Sequence, residues 1–426
     1  MNKPADHNVI AVQNYGRSGS LFLQSLLDGH PDLLCLPALY SRDFFYFWEN
    51  QNCKDLDGLI NTFIDKHAYW FSPKGAPKLW GLDQMGPDMK DSVFLATDEF
   101  REGLRARLRE SGLPSRRNFF TAVFETYAAI RSKTLSHSET IIFPIHSLPK
   151  RHIGYLLEDF SDARFIYTVR NPLRNLGSLI NHNMRGDSHL NPVECSLAQL
   201  LNDTGKYWGL FHSYRLFGDR PHFVKCFDNS VAVRLEDLHS DLKVIMTKLC
   251  GWIGIPWNDC LLESTFDGMK WWNMPGSIRV SGTSKEIVSQ KHSGIISDFD
   301  KTRLFCLFAR HSEAWQYEYP EKSADFAQRF LTFFTLFFPL RSEISVLKWR
   351  IDKALNAIPF IFTRRLKKVI PRIAVLIPPM KLFVFLFSPF IIGLLILKDY
   401  TFIRIELFLG WIKLFNPRLR LTKLLF

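Results

Sequence analysis

The sequence predicts an α/β protein: an open parallel sheet flanked by helices, followed by a helical C-terminal region. Three observations predict it. Apolar runs rich in β-branched and aromatic residues alternate with helical patterns, which implies parallel strands joined by crossovers. Two of those runs end in turns suited to an anion, and open sheets bind ligands beyond the carboxyl ends of their strands. Net positive charge and dense Phe and Leu runs are concentrated after residue 330, apart from the alternating region.

The first element is the apolar strand from Val9 to Val12, which runs into the turn Asn14-Tyr15-Gly16-Arg17-Ser18-Gly19-Ser20. Leu21 to Leu27 then reads as a helix. Unpaired amides at a helix start, the helix dipole and a glycine that lets backbone come close together suit a phosphate or sulfate. Arg17 adds a planar fork of donors. The alternative is an ordinary glycine turn before a helix. A kinase-type phosphate loop is excluded, because that motif needs Gly-Lys-Ser/Thr after four residues, and here the cation is an Arg placed before the second glycine.

Ser41 to Asn50 carries Phe44-Phe45-Tyr46-Phe47-Trp48, expected to be a helix packed in the core, with an acceptor pocket as the other option. Trp70, Trp80, Trp271 and Trp272 pose the same choice. Glu139 to Ile145 reads as a strand that His146-Ser147-Leu148-Pro149 leaves. Ala163 to Val169 reads as a buried strand ending at Arg170-Asn171-Pro172. Pro172 disfavours helix at Asn171 and is tolerated in a first turn, so Leu173 to Ile180 is expected to be helical with Ser178 on its second turn. Arg170 suits a phosphate through two parallel bonds, or a structural ion pair at a strand end. Asn229 to Leu238 reads as a strand entering a helix that continues through Leu249 and stops at Gly251. Ser277 to Lys285 and Lys291 to Ile296 read as loops.

Taken in order, Arg17-Ser18-Gly19-Ser20 with its helix and His30-Pro31, then Arg170 with Ser178 eight residues later, then Arg234-Leu235-Glu236-Asp237-Leu238, resemble the sulfotransferases that use 3′-phosphoadenosine 5′-phosphosulfate (PAPS). The resemblance spans roughly residues 8 to 315. It implies that Gly16, Arg17, Ser18, Gly19 and Ser20 hold the phosphosulfate and that Arg170 and Ser178 hold the 3′-phosphate. It also implies that His146, in a segment similar to the family's Lys-Thr-His-Leu-Pro and 24 residues before Arg170, is the catalytic base, with Arg17 assisting transfer. His182 and His292 are the competing bases. Pro144 stands where the family has Lys, and Leu235 where it often has Tyr. Arg279 and Gly282 are candidates for a late loop that touches the 3′-phosphate, although the family's Arg-Lys-Gly form is absent. Phe22 stands where the family often has an aromatic near adenine, and core packing is the alternative. The implied activity is sulfuryl transfer to a hydroxyl of a carbohydrate, lipid or glycolipid, with PAPS as co-substrate and no metal. The alternative is a membrane-bound binding or scaffold protein that keeps the fold without catalysis.

Net charge is +12, and from residue 331 on there are 16 Lys and Arg against four Asp and Glu, so the first 330 residues are neutral. Nucleic acid is therefore not an expected partner, since its footprint should lie on the folded domain. The expected domains are residues 1–325, catalytic, and 326–426, helical, basic and membrane-associated. Arg364-Arg365-Leu366-Lys367-Lys368 beside apolar runs suits an anionic membrane face. Leu382 to Leu397 is shorter than the roughly 20 residues a spanning helix needs. Phe402 to Phe415, apolar with spaced charges, suits a helix lying in the interface; a helical extension packed on the protein is the alternative. No secretory signal opens the chain, and seven scattered cysteines suggest neither zinc nor a disulfide framework. The expected location is the cytoplasmic face of a membrane, as in cytosolic or bacterial relatives rather than Golgi ones.

Overall fold

A computed structural model describes residues 7–14, 18–37, 41–71, 82–108, 113–131, 133, 139–145, 150–184, 229–273, 279–289, 296–301, 303–304, 315–317, 333–349, 351–352, 394, 397–405 and 407–409. The chain packs as two compact units, one built from Met1–Arg170, Tyr207–Gln290 and Leu424–Phe426 and the other from Asn171–Lys206 and Lys291–Lys423. This division follows packing; the boundary at residue 325 is drawn on composition.

The first unit holds a five-stranded sheet. Its strands are β1 (Val9–Asn14), β2 (Leu33–Cys35), β3 (Thr140–Ile145), β4 (Arg164–Val169) and β5 (Ser230–Arg234), in the order β2-β3-β1-β4-β5. Every pairing is parallel, as predicted. Ile10, Ala11 and Val12 of the central strand are fully buried, which is why that strand reads as a continuous apolar run rather than an alternating one. Gln13 pairs with Ile145, and Asn14 with Thr168. The carboxyl ends of β3, β1 and β4 thus finish level.

Pro144 fits inside β3 because of the ladder's parity. The Thr140 N–H donates to Asp32, on the β2 side, and the Ile141 N–H donates to Asn8, on the β1 side. Position 144 shares Thr140's side, where β2 has ended at Cys35 opposite Ile142. The donor that proline lacks is one the sheet does not require.

The helices of this unit are α1 (Ser20–Leu27), α2 (Ser41–Asn50), α3 (Leu56–Lys66), α4 (Thr97–Leu108), α5 (Arg116–Ile130) and α6 (Lys150–Asp159). α1 buries Phe22, Leu23, Leu26 and Leu27 in one cluster with Ile10, Val12, Ile166 and Val233. The aromatic run of α2 is core, as expected: Phe44, Phe45 and Phe47 are buried, while Tyr46 is exposed. Trp70 and Trp271 are also buried, and the Trp272 indole N–H donates to the Gly86 carbonyl at 2.7 Å. Trp80 lies outside the described residues.

The stretch after β5 differs from its sequence reading. It forms two helices, α8 (Leu235–Ser240) and α9 (Leu242–Ile253). α9 passes through Gly251 and stops at Gly254, whose φ of +86° closes the helix as the Gly254 and Ile255 N–H groups both donate to Cys250. A hairpin of Thr265–Phe266 and Met269–Lys270 follows. Its turn, Asp267-Gly268, has φ +55° and +69°, the two positive values a two-residue hairpin turn demands. The unit's last described helix is α10 (Lys285–Ser289).

In the second unit, α7 (Pro172–Met184) starts as predicted and runs one turn further. Asn171 caps it: its side-chain oxygen accepts from the Arg174 N–H at 3.2 Å. Elsewhere in this unit lies a buried polar centre. Arg303 donates to Asp300 and to the carbonyls of Thr335, Phe338 and Pro339. The Arg341 N–H donates to Asp300 at 2.9 Å, and Arg404 donates to the Leu336 and Phe338 carbonyls and pairs with Glu343. Among the described residues no helix is long and apolar enough to cross a membrane.

Candidate anion-binding site

Gly16 and Arg17 lie outside the described residues; the turn is described from Ser18. Ser18 is buried, and its Oγ lies 2.9 Å from Thr168 Oγ1. Thr168 donates onward to the Gln13 carbonyl at 3.4 Å, so Ser18 donates to Thr168. The expected anion ligand Ser18 therefore turns its hydroxyl toward the neighbouring strand. Gly19 is the N-cap of α1 with φ +92°, and no side chain caps this helix. The first N–H groups of a helix have no partners within it, so the start of α1 at Ser20 remains suited to an anion. A Cβ at Gly19 would stand 2.4 Å from Leu235 Cδ1. Leu235, noted above as a departure from the resemblance, thus sits directly against the turn.

Arg170 follows β4. It is buried, and its Nη2 donates to the Ile287 carbonyl of α10 at 3.3 Å. Near it lies a residue that the sequence reading did not single out, His239 of α8. Its ring stacks on Phe22 with centroids 4.6 Å apart and planes 4° from parallel. Its Nδ1 accepts from the Ser284 N–H at 3.1 Å. Burial first, and then the Arg170 charge, lower its pKa to about 4. The ring is therefore neutral near pH 7 with its proton on Nε2, and Nε2 is buried without a hydrogen-bond partner among the described residues. Nothing local marks His239 in the sequence; only the fold sets Phe22, Arg170 and Ser284 around it.

The other expected residues divide as follows. Arg234 and Asp237 form a two-bond pair at 2.6 and 2.7 Å, so this motif organises the end of β5, in keeping with its structural reading. Arg279 is exposed, with Nη1 3.6 Å from Met89 Sδ. Gly282 has φ +79° and open space around a would-be Cβ, and further along the same segment the Ile287 carbonyl accepts from Arg170. Ser178 is buried on α7, in the second unit. His146, His292 and the side chain of His182 lie outside the described residues. Among the described residues no cluster of His, Cys, Asp or Glu could hold a metal.

Comparison with known proteins bears on this arrangement. A sulfotransferase family (Sulfotransfer_3) matches residues 11–259, which include the turn, Arg170 and His239. Among solved structures, the sulfotransferase domain from the curacin biosynthetic pathway is 17% identical, with 66% of this chain and 89% of that one covered and a TM-score of 0.39. The sulfotransferase domain of the Synechococcus PCC 7002 olefin synthase is 18% identical, covering 62% and 80% at a TM-score of 0.32. The sulfotransferase STF9 of Mycobacterium avium is 16% identical, covering 61% and 67% at 0.31. No curated protein matches.

Proposed function

From the premise that the chain belongs to the sulfotransferase family, we propose that it transfers the sulfuryl group of PAPS to a hydroxyl of a carbohydrate, lipid or glycolipid. The observation that carries this reading is the pairing of β1 with β4: it sets the uncapped start of α1 beside the strand that delivers Arg170, with Ser18 and Thr168 hydrogen-bonded across the join. One seat suits the phosphosulfate and the other the 3′-phosphate. The chemistry of the donors fits such a ligand, since amides, a guanidinium and a neutral imidazole N–H all seek anionic oxygens.

In this reading Gly16 to Ser20 bind the phosphosulfate. Arg17 stabilises charge on the sulfuryl group and on the departing phosphate. Arg170 binds the 3′-phosphate, and Ser178 keeps the hydroxyl role that the resemblance implies. His146, the residue after Ile145, takes the acceptor proton. The acceptor oxygen forms its bond to sulfur as the bond from sulfur to the phosphate oxygen breaks. Adenosine 3′,5′-bisphosphate leaves, and the proton remains on His146 until water removes it.

Residues 326–426 hold the chain at the cytoplasmic face of a membrane in this reading. Support comes from the exposed Phe334, Phe337, Phe338, Ile344, Leu397 and Ile405. A scaffold that no longer catalyses is the second reading, favoured by Pro144 where the family has a cation. Transfer of labelled sulfate from PAPS to an extracted lipid and glycan pool separates the two. Transfer by the wild type, lowered about 10²–10⁴-fold in His146→Ala and with nucleotide affinity unchanged, supports the enzyme. Loss of transfer in His182→Ala, with His146→Ala still active, would move the base elsewhere. No transfer to any acceptor, with the nucleotide still bound, favours the scaffold.

A further inference from the structure

His239 is held on two sides and unmet on the third. Phe22 covers its face, Ser284 takes Nδ1, and the Nε2 proton is left buried with no acceptor among the described residues. A buried N–H without an acceptor is costly to keep, so its persistence points to a partner from outside the protein. The nearby Arg170 cation narrows that partner to an acceptor that gains from positive charge. Segment 284–287 braces both groups, since Ser284 binds the imidazole and Ile287 binds the guanidinium.

We propose that His239 is a second phosphate ligand beside Arg170, its Nε2–H donating to an oxygen of the 3′-phosphate that Arg170 binds. This rests on the reading of Arg170 given above. Nδ1 already accepts a hydrogen bond and Nε2 carries the proton, so the ring acts as a donor and not as the base. Phe22 serves as the wall that keeps the imidazole plane fixed.

The test is calorimetry with adenosine 3′,5′-bisphosphate and adenosine 5′-monophosphate. His239→Phe keeps the stack and removes the donor. His239→Gln keeps a donor and removes the stack. A hydrogen bond to a charged group predicts a loss of roughly tenfold or more in bisphosphate affinity for His239→Phe, with monophosphate affinity unchanged and with His239→Gln within about threefold of wild type. Nitrogen-15 NMR of the wild type supplies a measurement that does not depend on variants: the His239 Nε2–H resonance should shift with bisphosphate and not with monophosphate. Equal loss for both nucleotides, unchanged bisphosphate affinity in His239→Phe, or a resonance indifferent to the 3′-phosphate would overturn the proposal. A wild-type preference for bisphosphate that Arg170→Ala abolishes and His239→Phe leaves intact overturns the His239 role alone. A wild type that binds both nucleotides equally overturns the Arg170 reading and this one with it.

Discussion

Gly19 combines a left-handed backbone with a neighbour at 2.4 Å from any added Cβ. Gly19→Ala is therefore expected to destabilise the protein by about 1–3 kcal/mol and to weaken nucleotide binding, as read by thermal melts and calorimetry. Leu235→Ala opens the contact without changing φ, so Gly19→Ala should cost less in that background than in the wild type. An unchanged melting temperature in Gly19→Ala would mean that the turn takes another conformation. Gly19 and Arg170 are legible in the sequence because strand, turn and helix lie next to one another along the chain. His239 is not: it lies far along the chain from Phe22, and its partners meet only after the sheet has formed. Ser18 was legible as part of the turn, but which way its hydroxyl points depends on Thr168, a residue of another strand.

At the level of elements, the parallel strands and the starts of α1 and α7 follow from apolar runs and from Asn171-Pro172. The end of α9 does not, because Gly251 and Gly254 compete as stops. Gly254 wins as the residue at positive φ that lets the Cys250 carbonyl receive two N–H groups. The short Asp267-Gly268 hairpin is likewise not legible in the sequence, because its strands are only two residues each. It reaches back to α1, as Gly268 N–H and the Thr265 hydroxyl donate to Asp28 at 3.2 and 3.4 Å. Burial first, then the Asp267 carboxylate, raise the Asp28 pKa to about 7, against the lowering effects of those two hydrogen bonds and of Lys133. The folded state binds this proton more tightly than the unfolded chain does. Stability from Asp28 is thus full below about pH 3.8 and lost as pH rises to about 7. Asp28 keeps part of its surface exposed, which moderates the effect. Asp28→Asn should retain the hydrogen bonds and flatten the fall in melting temperature between pH 4 and pH 7 relative to wild type; a parallel fall in both proteins would assign the slope to other groups.

For the whole molecule, composition shows where charge and apolar residues lie along the chain but does not sort them by depth. Arg404, one of the tail's spaced charges, is buried and paired with Glu343, so part of the basic excess is structural. The exposed phenylalanines beside it remain. Deleting the tail would strip Arg303 of the carbonyls it binds at 335–339. Point changes in the full chain are the cleaner probe: Phe337→Ser, Phe338→Ser and Leu397→Ser together. Full burial of such side chains is worth about 1.5–3 kcal/mol each, so sedimentation with phosphatidylserine vesicles should fall by more than about tenfold. Equal sedimentation of wild type and triple variant would remove the membrane reading of this surface.

The hydroxyl chain from Ser18 through Thr168 to Gln13 would turn the two proposed anion seats into a gauge. On the proposed reading the turn is fastened to the strand that carries Arg170, so the gap between the seats would be a fixed length, and the protein would measure its nucleotide as well as attract it. Adenosine 2′,5′-bisphosphate has the same charge with one phosphate moved by a single ring carbon, and it is expected to bind roughly tenfold or more weakly than the 3′,5′ isomer. Thr168→Val keeps the shape and cuts the chain, so calorimetry should find the two isomers closer in affinity. A preference that survives the cut would mean that the gauge is set elsewhere.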